Sequence, residues 1–207
     1  GLVSGVEVTT AGSIRAALEI LRPSDKFHKV SGLFMMVLEE RLLFFDDCAI
    51  NIDPSAEELA HIAIDSAQTA QKSGIKPKVA LLSSTTLSEK ENGEKIRQAL
   101  QIARKLQPNL IIDGEIQVDA ALVPTVAAQK CPKSQIQGDA NILIFPNLES
   151  GNIAYKLVER LAGADMTAEI EPLLEQAAES LKLGDIGGAA QAFTAVLQLD
   201  QTNVKAI

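Results

Sequence analysis

Histidine, cysteine, cationic side chains and long apolar runs are all scarce in this 207-residue sequence, and each scarcity removes a class of function. Only His28 and His61 occur, in neither a metal-ligand nor a triad-like spacing, which argues against chemistry that depends on imidazole. Cys48 and Cys131 stand far apart with no Cys-x-x-Cys spacing, so neither a zinc site nor a redox pair is predicted and both read as buried thiols. No run reaches the ~20 apolar residues a membrane-spanning helix needs. The N-terminus also lacks the charged, apolar and small-residue order of a secretory signal, so a cytoplasmic protein without membrane partners is expected. Lys and Arg number 19 against 27 Asp and Glu, a net charge of −8. That balance opposes a nucleic-acid partner, whose backbone is held by clustered cations.

What is present suits one large domain or two small ones, with enough apolar residue for a sizeable core. Ile14, Ala17, Leu18 and Leu21 recur at helical spacing, predicting a short helix over Ser13–Leu21 that Arg22-Pro23-Ser24-Asp25 ends. Val30–Leu38 and Leu42–Phe45 are compact apolar runs around Glu39-Glu40-Arg41 and read as a strand hairpin. Ser55 with Glu58 is a capping box opening a helix that ends near Gly74. Beyond Pro77, strand and helix alternate: Val79–Leu82, Glu94–Leu106, Leu110–Ile112, Ala120–Gln129, Asn141–Phe145 and Asn152–Leu161. This alternation predicts an α/β fold, an open parallel-rich sheet with flanking helices. After Gly163 the character changes to two helices broken at Gly184-Asp185, so residues 1–164 are read as the α/β domain and 165–207 as a C-terminal α-helical hairpin.

Three segments could carry chemistry. Ser4-Gly5 and Thr9-Thr10-Ala11-Gly12-Ser13 precede a helix with Arg15 in its first turn, which suits a phosphate or carboxylate. The competing reading has Thr10 or Ser13 merely capping that helix and Arg15 in solvent. Asp113-Gly114-Glu115 and Asn147-Leu148-Glu149-Ser150-Gly151-Asn152 each follow a predicted strand, the place where open parallel sheets bind ligands. Gly151 would permit close backbone approach. The alternative is plain capping by Asp119 and Ser150. No metal is assigned to Asp113, Glu115 and Asp119, because a hard cation would need further oxygen ligands.

The blocks GLVSGVEVTTAGSIRAAL, DDCAINIDPSAEELAHIAIDSA, KPKVALLS, IIDGEIQVDAAL and NILIFPNLESGNIAYKLVERLAGA resemble, in order, the phosphotransacetylase (phosphate acetyl/butyryltransferase) family over about Gly1 to Ala164. The resemblance implies reversible acyl transfer between acyl phosphate and coenzyme A in a cleft between two α/β domains, with coenzyme A as substrate and no cofactor bound. It implies substrate binding by Ser4, Thr10 and Arg15, the last on phosphate or acyl phosphate, while Asn147, Ser150, Gly151 and Asn152 are read as substrate-binding from their place after a strand end. Glu7-Val8 replaces the family's usual Val-His pair, Ala16 stands where Pro usually follows the arginine, and Ser83–Lys90 lacks the family's glycines. No counterpart of the family's Asn-Asp-Leu-Ser-Arg-Gly segment follows Arg160-Leu161-Ala162-Gly163-Ala164, so no catalytic residue is assigned. An incomplete active site is expected, as is a truncated start at Gly1.

Leu174, Ala177, Leu181, Gly184-Asp185, Ala189, Phe193, Leu197, Asp200 and Asn203 resemble one tetratricopeptide repeat, with Gln201 where Pro often closes it. A protein partner through 165–207 is therefore a further expectation, and a homodimer is one that the phosphotransacetylase resemblance implies. Two alternatives to catalysis stand beside it: a non-catalytic acyl-CoA-binding regulatory module, and an interaction protein acting through its tail.

Overall fold

The structure, a computed structural model, describes residues 30–38, 41–87 and 93–161. The helix expected at Ser13–Leu21, the anion turn of Ser4, Thr10 and Arg15, His28 and the tail from 165 lie outside the described residues. Packing divides the chain into two units. One comprises Leu21–Met36 and Leu43–Lys156, and the other Gly1–Ile20, Val37–Leu42 and Leu157–Ile207. Almost all that follows concerns the first.

Among the described residues five strands form one sheet: β1 (Phe34–Leu38), β2 (Arg41–Asp46), β3 (Val79–Leu82), β4 (Ile112–Ile116) and β5 (Ile142–Ile144), in the order β1-β2-β5-β3-β4. β2 pairs with β5, β5 with β3 and β3 with β4, all parallel. Every residue of β3 (VALL) and β5 (ILI) is buried, as strands covered on both faces require. The α/β architecture with a mostly parallel sheet and flanking helices is the one the alternation predicts.

α1 (Ala56–Lys72) opens with the capping box read from the sequence: Ser55 Oγ accepts the Glu58 N–H at 3.3 Å and the Glu58 carboxylate accepts the Ser55 N–H at 2.8 Å. α2 (Glu94–Leu106) has the predicted bounds and buries Ile96, Ala99, Leu100 and Ala103. Among the described residues no helix is long and apolar enough to cross a membrane.

The strand read over Val30–Leu38 begins only at Phe34, and three later boundaries also differ from expectation. The strand placed at Leu110–Ile112 begins at Ile112 and runs through Ile116, so Asp113-Gly114-Glu115 is strand rather than loop. Gly114 lets β4 approach its neighbour, since a Cβ there would lie 2.7 Å from Leu81 Cβ. The helix placed at Ala120–Gln129 is two, α3 (Val118–Leu122) and α4 (Pro124–Lys130). Pro124 has no N–H to continue α3 but suits the first turn of α4. Finally α5 (Leu148–Leu161) starts before Asn152, so Ser150, Gly151 and Asn152 lie in its opening turns.

Candidate functional site

The chain leaves β3 toward β4 through α2 and returns from β4 toward the middle of the sheet through α3 and α4 to β5. It leaves β5 in the other direction, because Gly151 of α5 packs on Asp47 and Cys48 beyond the end of β2. Successive connections that diverge in this way open a crevice outside the carboxyl ends of the strands, here beside β5 and β3.

On the β2 side the rim is organised by two buried carboxylates, Asp46 and Asp47. Asp47 Oδ1 accepts N–H groups from Gly32, Ala49 and Ile50, each at 3.0 Å. Its Oδ2 accepts the Asn51 N–H at 2.7 Å and the Asn51 side-chain amide. Backbone N–H groups thus satisfy this buried carboxylate while folding the chain tightly after β2. Asn51 Nδ2 also donates to the Val30 carbonyl at 3.0 Å, joining residues 30–32 to the same turn. Asp46 Oδ2 accepts the Ser31 and Ser66 hydroxyls at 2.8 and 2.6 Å, while its buried Oδ1 has no partner. Burial, with a smaller contribution from Asp46 and Asp47, pushes the Cys48 thiol up, leaving it unreactive at neutral pH. Cys48 and Cys131 are both buried free thiols, as read from the sequence.

β5 is followed after three residues by α5. Asn147 Oδ1 accepts the Ser150 N–H at 3.0 Å, so the cap of α5 is Asn147 rather than Ser150, whose hydroxyl donates to the Asn147 carbonyl at 2.9 Å. Asn152 Nδ2 donates to the Cys48 carbonyl at 3.4 Å and the Leu148 N–H to the Ile52 carbonyl at 3.0 Å. Together Asn147, Ser150, Gly151 and Asn152 dock the start of α5 on the turn after β2. A Cβ at 151 would lie 2.7 Å from the Asp47 carbonyl oxygen and 2.9 Å from Cys48 Sγ. Gly151→Val is therefore expected to destabilise the fold by about 1–3 kcal/mol through overpacking, read as a lower urea midpoint.

On the β3–β4 side, Glu115 is fully buried and pairs with Arg97 of α2 and the Thr85 hydroxyl. Two turns further along α2, Arg104 Nη2 meets Asp113 Oδ1 at 3.0 Å. Asp113 Oδ2 accepts the Ser134 hydroxyl at 2.7 Å. Asp113 and Glu115 therefore neither cap a helix nor face solvent; the arginines neutralise them inside the sheet. The residues after β3 are tied to the end of β4, with the Gln117 N–H donating to Thr86 Oγ1 at 3.0 Å and the Leu87 N–H to the Glu115 carbonyl at 2.9 Å. Asp119 is exposed and bridged to Lys130 at 2.8 Å, which holds its carboxyl below the usual range. Among the described residues no three His, Cys, Asp or Glu side chains converge as metal ligands would.

Sequence reasoning named the β5 rim residues but missed Asp46, Asp47, Asn51 and Arg97. The available signals were the Asp-Asp pair directly after an apolar strand and two arginines spaced by two helical turns.

The profile of the phosphate acetyl/butaryl transferase family matches residues 1–182. A phosphate acetyltransferase of Bacillus subtilis is 44% identical over 186 residues, covering 89% of this chain and 58% of the relative. One from Clostridium acetobutylicum is 46% identical over 173 residues, covering 79% and 52%. A phosphotransacetylase structure from Streptococcus pyogenes superposes with a TM-score of 0.70 at 44% identity, covering 76% of this chain and 49% of that one. The chain thus spans about half the length of these relatives. With most of its residues matched, it belongs to the phosphate acetyl/butaryl transferase family.

Proposed function

We propose that this chain serves acyl transfer between an acyl phosphate and coenzyme A, the reaction acetyl-CoA plus phosphate giving coenzyme A plus acetyl phosphate. The observation that carries the reading is the match over residues 1–182 together with 40–49% identity to phosphate acetyltransferases. The polar rim at the carboxyl ends of the parallel strands supports it, since that is where this sheet class receives ligands. In this reading Arg15, with Ser4 and Thr10, holds the phosphate of the acyl phosphate through charge-assisted hydrogen bonds. Asn147, Ser150, Gly151 and Asn152 shape the crevice for coenzyme A. Residues 1–164 form the transfer domain of a cytoplasmic protein, a homodimer, and 165–207 recruit a protein partner as a tetratricopeptide-like hairpin.

The test is the formation of acetyl-CoA from acetyl phosphate and coenzyme A, followed by thioester absorbance, beside calorimetric titration of coenzyme A. Turnover that drops about tenfold or more in kcat/KM in Arg15→Gln supports the reading and overturns the expectation of an incomplete active site. Coenzyme A binding without turnover favours an acyl-CoA-binding regulatory module. Neither binding nor turnover overturns both.

A further inference from the structure

We propose that Lys95 is a phosphate-receiving residue of the crevice, one that exchanges an exposed carboxylate partner, Asp53, for a phosphate group of the incoming substrate. This rests on the acyl-transfer reading for the identity of the substrate, and names a residue of the site that neither the motifs nor the family resemblance marked.

Lys95 stands in the first turn of α2, the helix that follows β3, and reaches across to the segment that follows β5. Its Nζ donates to the Pro146 carbonyl oxygen at 2.9 Å and meets Asp53 Oδ1 at 2.7 Å. It therefore joins three segments at the carboxyl edge of the sheet: the approach to α1, the start of α2 and the turn between β5 and α5. Two of its three N–H donors are used in these contacts.

The two partners differ in kind. Pro146 offers a backbone carbonyl fixed by the central strand, and a neutral acceptor holds an ammonium in place without cancelling its charge. Asp53 is an aspartate whose side chain is 77% exposed, and Lys95 itself is 36% exposed. Solvent screening makes such a pair weak, so the carboxylate is readily displaced. A phosphate offers more charge and three acceptor oxygens to the same ammonium, and it meets the unused donor as well. The surroundings add a reason for a cation here. Asp53, Glu94 beside Lys95, and Glu149 three residues after Pro146 are exposed acids on this edge, and the whole chain carries −8. An anionic substrate approaching this edge is repelled unless a cation receives it.

Exchange has a signature that a structural salt bridge lacks: removing the two partners moves affinity in opposite directions. The experiment is calorimetric titration of the full chain and its Lys95→Gln, Lys95→Arg and Asp53→Asn variants with coenzyme A, with inorganic phosphate and with pantetheine, which carries no phosphate. Lys95→Gln is expected to weaken coenzyme A or phosphate by about tenfold, the loss of one charge-assisted contact. Asp53→Asn is expected to tighten the same ligand by about two- to fivefold by removing the competitor. Lys95→Arg retains most of the affinity, and pantetheine is insensitive to all three. Response of inorganic phosphate assigns Lys95 to the acyl phosphate, and response of coenzyme A alone assigns it to the phosphates of that cofactor-like substrate. The proposal is overturned if both charge-removing variants shift affinity in the same direction, if neither shifts it, or if pantetheine weakens in parallel. Wild-type chain that binds neither coenzyme A nor phosphate overturns the acyl-transfer reading itself and this inference with it, whereas normal binding indifferent to the variants overturns this inference alone.

Discussion

Arg97→Ala is expected to cost the fold about 3 kcal/mol, the low end of what removing one partner of a buried ion pair costs, because Arg97 is itself 32% exposed. The loss comes chiefly from what is left behind. Glu115 is fully buried at the end of an edge strand, and without the guanidinium its charge keeps the Thr85 hydroxyl and little else to replace lost hydration. Gly93 packs directly on the Glu115 carboxylate, so the side chain has no room to swing out toward water. The remedy follows from the same cause. In the double variant Arg97→Ala, Glu115→Gln the stranded group is a neutral amide, still able to accept from Thr85, and about half or more of the lost stability should return. Urea midpoints of the single and double variants decide it. Equal midpoints would show that Arg97 acts through its own packing on α2 and not through the buried charge.

That pair also shows where sequence reasoning stops. Elements with one strong local signal were legible: the capping box at Ser55, the helix at Glu94–Leu106 whose apolar face repeats every turn, and the fully apolar strand at Val79–Leu82. Asp113-Gly114-Glu115 was misplaced because two acids around a glycine carry the local signature of a turn. Only the tertiary pairing with Arg97 and Arg104, and the contact of Gly114 with Leu81, make it a strand. The start of α5 failed for a similar reason. Asn147 is a strong cap, yet Ser150 and Gly151 after it weaken a helical reading, and Gly151 is there because Asp47 and Cys48 leave no space for a side chain. For the site, the position of the rim was readable from strand ends, but its organising carboxylates were not. Asp46 and Asp47 are two acids after an apolar run, and nothing local says that one gathers backbone N–H groups while the other accepts the Ser31 and Ser66 hydroxyls.

Asp46 gives the second large effect, and it depends on pH. Burial, opposed by the Ser66 and Ser31 hydroxyls and reinforced by Asp47 and Asp65, pushes its carboxyl up from 3.8 to about 7. Between about pH 4 and pH 7 the folded chain holds a proton that the unfolded chain has released. This group therefore makes stability fall as pH rises through that window, and its effect is level above about pH 7. Three pH units at roughly 1.4 kcal/mol each set the scale at about 4 kcal/mol. Asp46→Asn removes the charge but keeps an oxygen for Ser31 and Ser66, and its amide N–H groups take the place of the partnerless Oδ1 beside two other acids. The variant should match the parent near pH 4 and exceed it at pH 8 by up to about 4 kcal/mol, so its curve of unfolding free energy against pH loses the downward slope. Chemical denaturation at pH 4.5, 6 and 8 measures this directly. A variant less stable than the parent at pH 8, or one with the same slope, would mean that Asp46 is already ionised in the fold and that its two hydroxyl partners suffice to hold it there.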